Sequence, residues 1–204
     1  MEKTRIAVLV SGGGTNLQAL IDAERAGKIP HGQIVLVLSS KEGVYALERA
    51  RLAGIPTAVV PRKELTQQAF DDALLDVLRR TGVELCVLAG FLSILGPRVI
   101  GAYRDRIINV HPSLIPSFCG AGYYGLRVHE AALEYGVRVS GATVHLVNEI
   151  PDGGRILLQK AVRIRKGDTP EALQRRVMEQ AEWKLLPRAT EMMARAIFKE
   201  NQRI

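Results

Sequence analysis

Short apolar runs and amphipathic stretches alternate along the first 110 or so residues. Residues 5–11, RIAVLVS, are a β-branched run ending in a glycine cluster, the pattern of a buried strand. From Asn16 the stretch NLQALIDAERAGK sets Leu17, Leu20 and Ile21 on one helical face, with Gly27 as its stop. Residues 33–39, QIVLVLS, predict a second strand, and VYALERARLAG a helix closed by Gly54. TAVV is a short third strand ended by Pro61. Over 66–81, Phe70, Leu74, Leu75 and Leu78 recur at helical spacing. ELCVLAG and IINV are the fourth and fifth strands, and FLSILGPRVIGAYRDR between them is long enough for a crossover helix.

After His111 the character changes. The Gly-, Pro- and Tyr-rich loop PSLIPSFCGAGYYG precedes a short helix, VHEAALEYG. GATVHLV and RILLQKAVRI follow as strands with Pro-Asp-Gly-Gly between them, close enough to pair antiparallel as an extended hairpin. Thr169 caps, and Pro170 opens, an amphipathic helix running to about Phe198. Strands alternating with helices in this rhythm predict an α/β fold. The expectation is a Rossmann-like, doubly wound, mostly parallel sheet with a C-terminal antiparallel extension and a final helix. No linker or repeat divides the chain, so residues 1–204 are expected to form a single domain.

The formal charge, 28 − 21 = +7, favours anionic ligands. The basic residues are dispersed and aromatics are 5%, which argues against nucleic acid. A phosphorylated metabolite or polyanionic cofactor fits the same charge. No apolar run approaches the ~20 residues needed to span a bilayer, and RIAVLVS is too short for a signal peptide. A cytoplasmic protein without membrane partners is expected. Cys86 lies in an apolar run and reads as core; with Cys119 far away, no CxxC pair exists.

Three elements could carry chemistry. SGGGTN follows the first strand and opens the first helix, where backbone N–H groups and the helix N-terminus can hold a phosphate. Leu17 stands where a dinucleotide fingerprint would need its third glycine, and no P-loop Lys-Ser/Thr is present. The alternative is a tight turn without ligand. In NVHPS, Asn109 and His111 are two residues apart at a strand end and point to one side, with Pro112 ending the strand. That places an amide donor and an imidazole at the carboxyl edge of the sheet, suited to acyl transfer; a pair that merely caps backbone groups is the alternative. Asp152 in PDGG is first of all a turn former. Should the turn fold over the sheet edge, its carboxylate would raise the pKa of His111. His145, within an alternating strand, reads as structural, and His129 as a helix cap.

SGGGTN, AGFLSIL, NVHPSLIPSF and GATVHLV…PDGG occur in an order that resembles the glycinamide ribonucleotide formyltransferases over nearly the whole chain. The HPSLxP core is similar to that of methionyl-tRNA formyltransferases and formyltetrahydrofolate hydrolases as well. The N-terminal SGGGTN, and the lack of room for their extra domains, favour the glycinamide branch. The resemblance implies transfer of a formyl group from 10-formyltetrahydrofolate to the amine of glycinamide ribonucleotide, in purine synthesis and without a metal. It implies Asn109, His111 and Asp152 as the catalytic trio, with protonated His111 and the Asn109 amide facing the oxyanion. Gly14, Thr15 and Asn16 would hold the nucleotide phosphate and Glu182 the same substrate. Main-chain groups of Leu92, Ser93, Ile94 and Leu95 would hold the pterin, with Asn109 also near the folate. Ser93 departs from a frequent Arg. Gln67 stands where relatives carry a basic residue beside the folate, leaving Arg62 or Lys63 as substitutes. The loop around Cys119, Tyr123 and Tyr124 is longer than in many relatives and takes no role from them. A monomer or homodimer is expected.

Overall fold

The computed structural model describes residues 2–63 and 65–202. Five strands run parallel: β1 (Thr4–Val10), β2 (Gly32–Ser39), β3 (Thr57–Val59), β4 (Leu85–Leu88) and β5 (Ile107–His111). β6 (Val139–Leu146) pairs antiparallel with β5, and β7 (Ile156–Arg163) antiparallel with β6. The spatial order is β3-β2-β1-β4-β5-β6-β7. The expected doubly wound parallel sheet with an antiparallel extension is present.

Period-two alternation explains the two layers. Ile6, Val8 and Val10 of β1 face one core, shared with α1 (Thr15–Arg25), α5 (Leu126–Tyr135), α6 (Pro170–Val177) and α7 (Trp183–Asn201). Ala7 and Leu9 face the other, where α3 (Gln67–Arg80) contributes Phe70, Leu74 and Leu78, and α4 (Pro97–Ala102) contributes Val99 and Ile100. Helix α2 (Tyr45–Leu52) lies beyond β2, burying Ala46 and Ala50. The Thr66 hydroxyl accepts from Ala69 N–H at 3.2 Å and Thr169 does the same for Ala172 N–H at 3.2 Å, so both predicted N-termini are capped.

Two elements differ from the sequence expectation. The crossover between β4 and β5 is helical only over α4; residues 91–96 instead run irregularly along the sheet edge. The last helix is also divided, with a π-helical turn, Met178–Glu182, between α6 and α7. Pro187, within the following helix, cannot donate to the Trp183 carbonyl and crowds it, which breaks regular i→i−4 bonding there. π turns are frequent at functional sites, and this one ends at Glu182.

Candidate active site

In this strand order the chain reverses direction beside β1, which opens a crevice between the carboxyl ends of β1 and β4. The glycine loop fills one wall. Gly14 adopts φ +74° as the N-cap of α1, and its carbonyl accepts from Gln18 N–H at 2.9 Å. Gly12 O accepts from Ala46 N–H at 3.1 Å, and Gly13 O from Arg49 Nε at 2.8 Å. Asn16 Nδ2 donates to Glu182 Oε2 at 2.6 Å, joining the loop to the π turn across 166 residues of sequence. Gly14, Thr15, Asn16 and Glu182 are thus brought to one place. Asn16 Oδ1 is buried with no protein partner, an acceptor a ligand donor would satisfy.

A Cβ on Gly14 would meet Ala46 Cβ at 2.7 Å and Cα at 2.9 Å, whereas one on Gly13 meets nothing within 4 Å. Gly14→Ala is therefore expected to destabilise the fold by about 1–3 kcal/mol through strain and overpacking. Gly13→Ala should leave the melting temperature almost unchanged, yet weaken binding of a phosphorylated ligand by crowding the backbone approach. Calorimetry with a phosphorylated ligand checks this; an unchanged affinity in Gly13→Ala would remove the phosphate role from the loop.

Burial pushes the Glu182 carboxyl up to about 7, against the Asn16 bond that favours its charge. A carboxyl raised from an ordinary 4.5 is a cost carried by the folded state above pH 7 and absent below 4.5. In the ligand-free protein that cost is roughly 3 kcal/mol. Glu182→Gln should therefore raise stability at pH 8 and change it little at pH 4, while weakening substrate binding. Denaturant titrations at the two pH values test the sign, and equal effects at both would refute it.

The segment after β4 forms the second wall. Leu92 N–H donates to Ser11 Oγ at 3.0 Å, which ties it to the end of β1. Gln67 Nε2 donates to Ile94 O at 3.1 Å and to Asp71 Oδ1 at 2.8 Å, and buried Asp71 also accepts from Gly96 N–H at 3.0 Å. Arg62 Nη2 donates to Gln67 Oε1 at 3.3 Å. Gln67 thus sits behind this segment with its amide committed to holding it. Ser93, Ile94 and Leu95 line a cavity of about 140 Å³ together with Asn109, His145 and Asp152. Leu92 lies outside that lining.

The third group converges on Asp152, whose φ of +55° turns it back over the sheet. Its Oδ2 accepts from Gly120 N–H at 2.8 Å and stands 3.5 Å from His111 Nδ1. Its Oδ1 stands 3.5 Å from His145 Nε2. Burial works against the charged carboxylate, but His145, His111 and the Gly120 N–H together hold its pKa below the ordinary value. Asn109 and His145 are direct cross-strand partners, with Asn109 Nδ2 3.2 Å from His145 Nε2. His145 donates its Nδ1–H to the Leu146 carbonyl at 2.8 Å, and its Nε2 faces both the Asn109 amide and Asp152 Oδ1. His145, read from sequence as structural, is therefore in the site.

His111 is 4% exposed and donates through Nε2 to the Phe118 carbonyl at 2.8 Å. Burial pushes its pKa below 6.5, outweighing the upward pull of Asp152 and of that carbonyl. The expected upward push from Asp152 exists, but the net rise does not. The resting imidazole is neutral at neutral pH, with its proton on Nε2. His129 also departs from expectation: it does not cap α5 but lies fully buried in it, both ring nitrogens unpartnered, pushed down to about 4 by burial. Among the described residues, no cluster of three or more His, Cys, Asp or Glu side chains is arranged to hold a metal, and no helix is long and apolar enough to cross a membrane.

Residues 4–190 match the family described as formyl transferase. The phosphoribosylglycinamide formyltransferase of Haemophilus influenzae is 44% identical over 184 residues, which are 90% of this chain and 84% of that protein. The chain belongs to the phosphoribosylglycinamide formyltransferase family. Its fold agrees with a crystal structure of glycinamide ribonucleotide transformylase 1 from Symbiobacterium toebii, at TM-score 0.89 and 41% identity, covering 95% of this chain and 89% of that one. A chloroplastic phosphoribosylglycinamide formyltransferase of Arabidopsis thaliana is 42% identical over 87% of this chain. The chain spans 61% of that plant relative's length.

Family membership directs attention to what joins the walls of the crevice. Ser11 and Asp71 carry no mark in the sequence and His145 reads there as structural, and the Phe118 carbonyl and the Gly120 N–H are equally unmarked. The first three carry ordinary local patterns. Only the register that sets Asn109 opposite His145 marks the histidine as functional.

Proposed function

We infer that this chain transfers the formyl group of 10-formyltetrahydrofolate to the amine of glycinamide ribonucleotide, releasing tetrahydrofolate. The observation that carries this is the Asn109–His145–Asp152–His111 array at the edge of a sheet whose next crevice wall is a glycine loop. The nucleotide phosphate lies on residues 12–16, beside Glu182, and the folate ring lies against residues 92–95 and the 150–154 turn. The amine attacks the formyl carbon, and the Asn109 amide donates to the oxygen as it becomes negative.

The proton released by the amine passes through water to Nδ1 of the neutral His111, the nitrogen that faces Asp152, and returns by the same route to N10 of the leaving folate. The imidazolium formed on the way is stabilised by Asp152 at Nδ1 and by the Phe118 carbonyl at Nε2. A resting neutral His111 replaces the permanently charged one expected from sequence. Its burial keeps the resting imidazole neutral and so able to accept that proton, and the low dielectric strengthens the attraction between the transient imidazolium and Asp152.

Mixing the protein with 10-formyltetrahydrofolate, with and without glycinamide ribonucleotide, and following tetrahydrofolate release tests the assignment. Release only when the amine is present is expected. Equal release without it makes the protein a hydrolase, and no release in either case leaves a ligand-binding domain. A single domain, a cytoplasmic location and a monomer or homodimer belong to the same proposal. Limited proteolysis, cell fractionation and sedimentation check them in turn.

A further inference from the structure

We propose that the corner where β6 begins and β7 ends is a second anion site, built for a small molecule bearing a di- or triphosphate group. A pocket of about 580 Å³ opens there, lined by Arg138, Arg163, Arg165, Lys166 and Arg176, with Ile164 and Gln180. It shares no residue with the glycine loop or with the Asp152 array.

Arg176 is fixed in place: its two terminal nitrogens bind Asp168 at 2.5 and 2.6 Å, and Nη1 also donates to the Arg163 carbonyl at 3.2 Å. This pairing holds the Asp168 carboxyl well below the ordinary range and occupies its charge with Arg176. The side chains of Arg138, Arg163, Arg165 and Lys166 form no ion pair or hydrogen bond among the described residues. Arg165 feels Asp168 only at a distance.

The backbone fixes how closely these cations stand. Val139 and Arg163 are paired residues across β6 and β7, and Ile164 N–H donates to Arg138 O at 3.0 Å. Four cations thus converge on one concavity with their repulsion uncompensated, a cost that a bound polyanion removes. Guanidinium groups bind phosphate oxygens in a planar, two-pronged geometry. A single phosphate supplies fewer negative charges than the cluster presents, whereas a di- or triphosphate approaches it. The volume is in the small-molecule range. No aromatic side chain lines the pocket to stack a base, which sets it apart from a surface for single-stranded nucleic acid.

Isothermal titration with inorganic tripolyphosphate, on the wild type and on the Arg163→Ala/Arg165→Ala double variant, tests this. Two binding events are expected in the wild type. Saturating glycinamide ribonucleotide should block the one at the glycine loop and spare the other. The double variant should keep the first and weaken the second at least tenfold, with an unchanged or higher Tm in the absence of anion because repulsion has been relieved. The readout does not depend on the proposed substrate: should the ribonucleotide compete with neither event, the Arg163/Arg165-dependent event still decides. A single event abolished by the ribonucleotide, or a second event unaltered in the variant, overturns the proposal. So does a single-stranded RNA that binds tighter than tripolyphosphate at about 0.15 M salt and is lost in the same variant.

Discussion

Asn109→Ala lowers turnover about 10²–10³-fold, roughly 2.7–4 kcal/mol, the scale for one lost oxyanion donor. The loss falls on kcat and kcat/KM together, because the amide acts on charge that exists only in the transition state. The fold should tolerate the change. Asn109 is only partly buried, and its one side-chain bond is the 3.2 Å contact to His145. Truncation removes the amide from His145 Nε2, which stands 3.5 Å from Asp152 Oδ1, so a small secondary effect on that pair is included in the number. Steady-state kinetics, with each substrate varied while the other is saturating, are the measurement. A rise in KM with kcat intact would make Asn109 a binding residue and end its catalytic role.

The Asp152→Asn and His111→Ala variants, made singly and together, should lose activity non-additively. In the proposed mechanism Asp152 stabilises the imidazolium, so it has little left to contribute once His111 is gone, and the double variant should be little worse than His111→Ala. The pH dependence follows from the direction of the shift. Because burial depresses His111 below 6.5, charging it in the folded state is costly. That cost is fully present below the folded pKa, shrinks as pH rises and is gone above about 6.5. Removing the Asp152 charge lowers the His111 pKa further, so Asp152→Asn should lose more stability at pH 5 than at pH 8. Asp152 itself, held below 3.8, contributes stability that is lost only as pH falls through its own lowered value. Multiplicative losses in the cycle, with an unmoved His111 titration by NMR, would show that the two residues do not communicate across 3.5 Å.

Replacing Cys119 or Tyr123 has no comparably sharp expectation, yet the loop that carries them is not idle. Its backbone meets the array twice, at Phe118 O and Gly120 N–H. Backbone contacts of this kind leave no trace in residue type, which is why the loop carried no chemical signal in sequence. Phe118 at φ +50° aims its carbonyl at His111, in a conformation that only the surrounding packing imposes. The Phe118 ring packs edge-on against Tyr123 and Tyr135, with centroids 6.4 and 6.0 Å apart.

Much of the architecture was legible because period and punctuation are local. The β-branched run RIAVLVS before its glycines, the helical stripe of Phe70, Leu74 and Leu78, and the Thr169 cap each depend on a few neighbouring residues. The types and positions of Asn109, His111 and the glycine loop at strand ends were legible for the same reason. Three matters were decided only in three dimensions. Cross-strand register made His145 the partner of Asn109, and no local pattern encodes register between strands 36 residues apart. The fold of the β6–β7 connection converted Asp152 from a turn former into the carboxylate shared by two histidines. Burial then reversed the net effect on His111, since desolvation depends on every element packed around the ring and not on the one charge that the sequence sets nearby.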